Sequence, residues 1–283
     1  MELTDLRIFK AVAEQGGITR AALSLHRVQS NVTTRVKHLE ARLGTRLFHR
    51  QGRRLVLSAE GRLLLGYAER LLELSSEAQA ALQGAAPQGV LKLGALESTA
   101  ATRLPAVLAR YHREHPAVRV ELVTSTSAAL IDKVLRMELE AAFVAEPFSS
   151  RGLHSAHIFT EELVLITARD HPRVQTAAQL AQRTLLAFTT GCAYRRRLES
   201  WLGRSKIAPD RVMEYGSYHA IVACTAAGAG IAVVPKSVLR ATGMETQVAV
   251  HPLPAKIAQA KTMLVWRRGH ESAPLSALRA KLA

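Results

Sequence analysis

The sequence of 283 residues lacks the cysteines and the long apolar runs that mark several classes of protein. Two cysteines, Cys192 and Cys224, are too few for the disulfide framework of a small secreted domain. No apolar stretch is long enough to cross a bilayer, and charged residues interrupt the first turns, where a signal peptide would be apolar. We therefore expect a cytoplasmic protein without a membrane partner.

Common catalytic and cofactor motifs are also missing. No serine stands in a Gly-x-Ser-x-Gly elbow. Gly228 and Gly230 lie between a predicted helix and a predicted strand, which is the reverse of a dinucleotide-binding loop. His112 and His115 are three residues apart, which is not the spacing of a zinc-binding helix. With no nucleophile, base or metal ligand to name, we expect no enzyme activity, no metal and no cofactor.

Acidic residues are scarce: 23 Asp and Glu stand against 38 Lys and Arg, for a net charge of +15. Residues 1–58 hold eleven of these cations but four acidic residues. This asymmetry favours a nucleic acid as partner over a generally basic surface. The length, with 48% hydrophobic residues, is enough for a small domain and a larger two-lobed one.

Residues 18–43 predict two short helices joined by a tight turn. In the second helix, apolar residues recur at spacings of four, three and four, at Val32, Val36, Leu39 and Leu43. The opposite side carries amides, hydroxyls and cations, which can bind base edges and phosphates in the major groove. The candidate DNA contacts of this segment are Arg20, Gln29, Ser30, Asn31, Thr33, Thr34, Arg35 and Lys37. A solvated helix in any small bundle remains the alternative.

Within this set we expect Gln29, Thr33 and Thr34 to face base edges. Arg35 or Lys37 is expected to face phosphates. Two short strands then form a wing (residues 47–57) with a basic tip at residues 50–54. Arg50 and Arg53 of this tip are candidate minor-groove contacts, because narrow grooves attract arginine; an ordinary solvated turn is the alternative.

A long helix is predicted from Ser58 to about Leu82. Some 24 residues at 1.5 Å each give a rod of about 36 Å. Its apolar positions alternate spacings of four and three, which is typical of a helix seam. The seam residues are Leu64, Ala68, Leu71, Ser75, Ala78 and Leu82. Such a rod needs a partner, either a second helix or its own chain.

Residues 84–89 read as a hinge, after which strands and helices alternate as in an α/β fold. We expect a helix from Thr99 to Glu114 and a strand beginning at Glu162. Polar residues stand at four strand-to-helix junctions: Ser98, Thr99, Thr126, Ser127, Gly191, Cys192, Tyr194 and Tyr218. Helix starts favour anions, and ligands of open α/β sheets lie beyond the carboxyl ends of the strands. Each hydroxyl could instead be a plain helix cap.

Several segments resemble LysR-type transcriptional regulators at matching mutual spacing. The segments at the DNA-binding end are residues 6–14, 19–22, 29–33, 39–44, 47–50 and 58–61. Residues 90–144 resemble the first lobe of the family's effector domain, itself similar to periplasmic solute-binding proteins. Residues 230–235 resemble part of the second lobe.

This resemblance implies four parts. They are a winged helix-turn-helix DNA-binding domain (1–58), a dimerising linker helix (59–83), a hinge (84–89) and a two-lobed effector-binding domain (90–283). Lobe I would hold residues 90–161 and 267–283, and lobe II residues 162–266. The implied function is sequence-specific promoter binding by a homodimer or a dimer of dimers. A small effector, a carboxylate or similar anion, would bind between the lobes and modulate it.

Three alternatives remain open at this point. One is a nucleoid-type DNA-binding protein without a ligand. Another is an enzyme or solute carrier fused to a DNA-binding domain. The third is a redox-sensing regulator, for which Cys192 would have a lowered pKa at its helix start, while Cys224 reads as a core residue.

Overall fold

The computed structural model describes residues 1–52, 54–82, 86–180 and 183–282, apart from the side chains of residues 77 and 80–82. The chain divides into two compact units, residues 1–86 and residues 87–283. The division falls inside the predicted hinge, of which residues 84 and 85 lie outside the described ranges. No helix in those ranges is both long and apolar enough to span a bilayer.

The first unit is a helix-turn-helix followed by a hairpin and a long helix. Its first three helices are α1 (Leu3–Gln15), α2 (Ile18–Ser24) and α3 (Gln29–Leu43). The wing pairs β1 (Phe48–Gln51) with β2 (Arg54–Leu57), and α4 (Ala59–Leu82) follows. This order confirms the predicted winged helix-turn-helix with its long linker helix.

The core of the first unit joins α1, α3, the wing and the first half of α4. Phe9 of α1 packs on Phe48 of the wing, with ring centroids 5.4 Å apart. The Gly61 N–H donates to Ser58 Oγ (2.8 Å), which confirms the predicted helix start at Ser58. Gly61 has to be glycine, because a Cβ there would lie 2.1 Å from the Leu47 carbonyl oxygen. The long helix therefore begins in direct backbone contact with the wing.

The second unit has the α/β composition that the sequence predicts. Its helices are α5 (Glu97–Thr102), α6 (Leu104–Glu114), α7 (Ser127–Leu135), α8 (Ala193–Arg204), α9 (Tyr218–Ala226), α10 (Lys236–Thr242), α11 (Ala255–Ala258) and α12 (Ala273–Leu282). Its strands are β3 (Gly89–Ala95), β4 (Val118–Thr124), β5 (Ala141–Ala145), β6 (Leu153–Ala168), β7 (Thr184–Ala187), β8 (Arg211–Glu214), β9 (Ala232–Pro235), β10 (Val248–Pro252) and β11 (Gln259–Arg267).

Two lobes share one sheet, whose strand order in the described residues is β10-β6-β11-β5-β3-β4, with β9 also paired to β6. The long β6 passes through both lobes: its first half pairs with β11 and its second half with β9 and β10. From Thr262 onward β11 also pairs with β5. Residues 262–266, which the sequence predicts to cross back towards lobe I, therefore already belong to the sheet of lobe I, a few residues before the expected boundary.

Two elements differ from their predicted extents. The helix predicted from Thr99 to Glu114 is two helices, α5 and α6, which meet at Arg103. Pro105 stands at the start of α6 and has no N–H with which to continue the α5 ladder. The crossing strand β6 begins at Leu153, not at Glu162, because its first half is rich in polar residues and shows no apolar run.

Candidate DNA-binding surface and effector cleft

The helix-turn-helix presents a continuous polar face to solvent. The exposed members of the predicted set are Arg20, Gln29, Ser30, Asn31, Thr34 and Lys37. On the opposite side of α3, Val32, Val36 and Leu39 are buried in the core. The Thr33 hydroxyl donates to the Gln29 carbonyl oxygen (2.9 Å), so Thr33 is engaged within its own helix.

Arg35 is held by acidic residues of α1. Its Nη1 lies 3.0 Å from Asp5 Oδ1 and 3.4 Å from Glu2 Oε2. Asp5 is buried, and its other oxygen lies 3.8 Å from Arg42 Nη1 near the end of α3. These ion pairs fasten α3 to α1 at two points. Of the two predicted phosphate contacts, Arg35 is therefore occupied within the protein, whereas Lys37 is exposed.

The wing is fixed to α3 at its base. Glu40 Oε1 accepts hydrogen bonds from the backbone N–H groups of Leu47 (2.8 Å) and Phe48 (3.3 Å). Arg50 is exposed but lies within β1, so its predicted place at the tip is wrong. Arg53 lies outside the described residues.

The linker helix α4 has an inner and an outer apolar face. On the inner face Ala68 is fully buried, and Leu64 and Leu72 pack beside it against the core of the first unit. The outer face is an exposed stripe, here called the outer stripe, formed by Leu63, Tyr67, Leu71, Leu74 and Ala78. At 65% and 58% exposure, Leu63 and Leu74 have little contact with their own unit.

The predicted seam mixes these two faces. Leu64 and Ala68 pack inside the first unit, so their assignment to a free seam is wrong. Leu71 and Ala78 belong to the outer stripe. The side chain of Leu82 lies outside the described residues. The spacing alone could not separate the faces, because α4 also completes the core of its own unit.

A narrow cleft lies between the two lobes. All four predicted strand-to-helix junctions reach it. The lining residues are Leu96, Glu97, Ser125 and Thr126 from lobe I, and Phe188, Cys192, Ala193, Tyr194 and Tyr218 from lobe II. The rings of Phe188 and Tyr218 lie 4.7 Å apart and form an aromatic wall.

Four buried hydroxyls of the second unit have no hydrogen-bond partner among the described residues: those of Ser98, Thr99, Tyr194 and Thr262. Ser98 and Thr262 lie near Tyr194 of the cleft, and these three residues are here called the hydroxyl cluster. Thr99 is buried and is not among the residues that line the cleft. Burial raises the pKa of the Tyr194 phenol. The Ser98 and Thr262 hydroxyls lie close enough to the phenol to reduce that rise. Among the described residues, neither hydroxyl makes a well-formed hydrogen bond with the phenol. An unsatisfied buried hydroxyl costs about 1–3 kcal/mol. Of the cluster residues Tyr194 lines the cleft, whereas Ser98 and Thr262 are not among its lining residues.

Ser127 and Gly191 have structural roles. Ser127 Oγ accepts from the Ala145 N–H (3.1 Å) and donates to the Ala145 carbonyl oxygen (3.4 Å), so its prediction as an effector contact needs correction. Gly191 has a φ of +99°, and a Cβ there would lie 2.9 Å from Thr126 Oγ1, so glycine lets the lobes approach. Thr126 caps α7 by accepting from the Ala129 N–H (3.4 Å), which leaves its own proton to donate.

The Cys192 thiol is less acidic than a free cysteine. Burial raises its pKa, and the N–H groups of Tyr194 and Arg195 at the start of α8 offset this only in part. The predicted lowering of its pKa is therefore wrong, because desolvation outweighs the helix start. Since oxidants attack the thiolate, this environment disfavours a redox role for Cys192. Cys224 is half-buried against the core of the second unit.

Sequence analysis missed two residues of this region, Glu97 and Thr262. The Glu97 carboxylate accepts a hydrogen bond from the Tyr218 N–H across the cleft, and its Oε2 is buried with no hydrogen-bond partner in the described ranges. Burial raises the pKa of Glu97. The sequence signal for Glu97 was its position directly before Ser98, at a predicted strand-to-helix junction. Thr262 lies within an apolar strand, so that only the fold reveals its neighbours.

A polar reading face on one unit and a ligand cleft in the other define a class of protein: DNA-binding regulators that respond to a small molecule. Family comparison agrees with this class. Residues 3–62 match the family described as "Bacterial regulatory helix-turn-helix protein, lysR family", and residues 84–283 match the LysR substrate binding domain. The chain therefore belongs to the LysR family of DNA-binding transcriptional regulators, which have an effector-binding domain.

Similar proteins extend over nearly the whole chain. YusT of Bacillus subtilis (strain 168), an uncharacterized HTH-type transcriptional regulator, is 43% identical over 269 residues, or 95% of this chain and 90% of YusT. GltR of the same organism, also an HTH-type transcriptional regulator, is 36% identical over 269 residues, which cover 95% of this chain and 91% of GltR. Full-length CbnR, crystallised with its target DNA, is 26% identical with a TM-score of 0.68 and matches over 100% of this chain and 99% of CbnR. These matches confirm the predicted family and fold class.

Proposed function

We propose that this protein binds specific promoter DNA as a homodimer or a dimer of dimers, and that a small molecule with a carboxylate or similar anionic group binds in its cleft and modulates this binding. It acts in the cytoplasm, where bacterial promoter DNA lies. The observation that carries the proposal is the cluster of unpartnered hydroxyls beside the cleft, in a chain whose other unit exposes a polar helix-turn-helix face.

The exposed face of α3 supports direct readout of bases. The amide of Gln29 can pair with both hydrogen-bonding groups of an adenine edge, and Thr34 can contact a neighbouring base. Lys37 suits a phosphate, as do the exposed cations Arg20 and Arg50 on the flanking elements. Thr33 contributes its methyl group, because its hydroxyl is bonded within the helix.

The outer stripe of α4 supports assembly with a second copy of the chain. Several large apolar side chains in one exposed line are typical of an interaction surface. A two-fold axis beside α4 would bring the outer stripe against its own copy, so each chain buries the same residues. The interface of the proposed dimer is thus the outer stripe and not the seam predicted from the spacing.

Two helix starts support an anionic group in the cleft. Thr126 caps α7, of nine residues, and Cys192 precedes α8, of twelve residues, so two positive helix ends reach the cleft from opposite lobes. The six-residue α5 is too short to add a comparable field. Donors from the hydroxyl cluster complete the set.

Binding-site sequencing with the full chain tests the regulator proposal. We expect a small number of sites that share one motif, with neighbouring genes that indicate the effector. Binding spread evenly over the chromosome would instead support a nucleoid-type protein.

A panel of small carboxylates tests the cleft. For a carboxylate that binds the wild-type chain, Ser98→Ala and Thr126→Ala should each weaken binding by about 10- to 100-fold, because each removes a hydrogen bond to a charged group. Ser155→Ala, at an exposed position of β6, is the matched control and should bind normally. Full-strength binding by both cleft variants would place the ligand elsewhere.

A further inference from the structure

The charge of the cleft lining is negative. Glu97 contributes a carboxylate, and the described lining residues include no lysine, arginine or histidine. The Glu97 Oε2 is buried and has no hydrogen-bond partner within the part of the chain that the structure describes. A buried charged group is unfavourable unless it is paired. A ligand that donates a hydrogen bond to this oxygen would therefore be favoured.

Two arginines beside the cleft residue Tyr194 are engaged by groups of the protein: Arg197 donates to the Glu146 carbonyl oxygen (3.3 Å), and Arg103 pairs with a glutamate. Arg103 Nε lies 2.6 Å from Glu161 Oε1, and the other oxygen of Glu161 accepts from the Ser237 hydroxyl (2.8 Å). His219 acts on Glu97 electrostatically, but its side chain is exposed and solvent screens its charge. None of these cations neutralises the Glu97 carboxylate from within the cleft.

This lining is poorly matched to a ligand that carries negative charge alone. A second carboxylate in the cleft would repel Glu97, since like charges at short range disfavour each other. A ligand that also carries a donor with positive charge would pair with Glu97 Oε2 and remove the repulsion. Charge-assisted hydrogen bonds of this kind are roughly twice as strong as those between neutral groups.

We propose that the effector carries a protonated amine that pairs with Glu97, in addition to its carboxylate, and is a small amino acid or a related amino-carboxylate. This inference rests on the effector cleft proposed above. Ser98 of the hydroxyl cluster follows Glu97 directly in the chain, so the acceptor for the amine and the donors for the carboxylate are neighbours. An α-amino acid carries both groups on one carbon.

The walls of the cleft suit a small ligand with an apolar side chain. Phe188 and Tyr218 offer an aromatic wall for the ligand's side chain. Leu96 and Ala193 add further apolar lining.

The test uses the full chain and a panel of free amino acids, each beside the carboxylic acid that lacks its amine. Binding is measured by calorimetry, and thermal unfolding gives a second readout. The variants are Glu97→Gln, which keeps the shape and removes the charge, and the matched control Glu245→Gln, whose carboxylate is exposed beyond the cleft.

We expect an amino acid to bind the wild type at least tenfold more tightly than its amine-free analogue. Glu97→Gln should weaken the amino acid at least tenfold and bind the analogue as well as the wild type or better, whereas Glu245→Gln should change neither. Retained binding of the analogue also shows that the variant is folded.

Two results would overturn the amine assignment. One is an amine-free carboxylate that binds the wild type as tightly as its amino acid; the other is a panel in which no amine-containing compound binds. The first leaves the effector cleft intact. Failure of the regulator proposal is a separate result, since it would appear as the absence of specific DNA sites whatever the panel shows.

Discussion

The Arg35→Ala variant tests whether Arg35 contacts DNA or instead positions α3. Arg35 is 39% exposed and lies 3.0 Å from Asp5 Oδ1, whereas Asp5 is 6% exposed. Without the arginine, the Asp5 carboxylate keeps Arg42 at 3.8 Å and the Glu2 N–H at 3.2 Å. Exposed ion pairs contribute about 0.2–1 kcal/mol, and breaking a buried pair costs about 3–5 kcal/mol. For this half-exposed pair, after allowing for solvent screening, we expect a loss of about 1–2 kcal/mol in the free energy of unfolding.

The assay is promoter affinity over a range of salt concentrations, combined with thermal unfolding. Each phosphate contact adds about 0.9 to the slope of log K against log salt. Lys37→Ala should therefore lower the slope by about one and leave stability unchanged. Arg35→Ala should leave the slope unchanged and lower stability, and Asp5→Asn should do the same. A slope lowered by about one in Arg35→Ala, with normal stability, would refute this reasoning and return Arg35 to the phosphates.

Three further predictions use the surfaces described above. Leu74→Glu should convert the dimer to a monomer in sedimentation, because the two leucines of the interface contribute about 3–6 kcal/mol when buried. Ser76→Glu, at an exposed position of the same helix, should leave the dimer intact. A dimer in both variants would exclude the outer stripe as the dimer interface. Gln29→Ala should lose about 1–3 kcal/mol of discrimination at one base pair, measured with single-substitution operators; an unchanged preference contradicts its role. Glu97→Gln should raise the melting temperature of the ligand-free chain near neutral pH. Because the pKa of Glu97 is raised, the gain in melting temperature should shrink as the pH falls through that pKa and the wild-type carboxyl becomes neutral. A gain that does not vary with pH would contradict a buried, charged Glu97.

The parts of the fold that local rules govern could be predicted from the sequence. The apolar spacing of α3, its left-handed cap at Gly44 (φ 65°) and the start of α4 at Ser58 each depend on residues within a turn or two. The order of the strands and helices followed from the same periodicities, which are strong where an element buries one face.

The errors arise where distant residues decide the outcome. Arg35 pairs with an aspartate thirty positions away, which no helical pattern reveals. Ala68 and Leu74 are both apolar positions of one helix, and only the packing of the first unit separates the inner face from the outer stripe. Thr262 joins the hydroxyl cluster because β11 returns to lobe I, so its role depends on the sheet.

The close contact between Gly61 and the Leu47 carbonyl also bears on the geometry of the operator. With no room there even for a methyl group, the backbones of α4 and the wing are in direct contact. In a dimer joined by α4, this contact would set the separation of the two copies of α3. An operator with one base pair too many or too few has to be bent or twisted to fit, and the free energy of that DNA deformation weakens binding. Discrimination between operator spacings would therefore originate at a glycine beneath the wing and not at the reading face of α3.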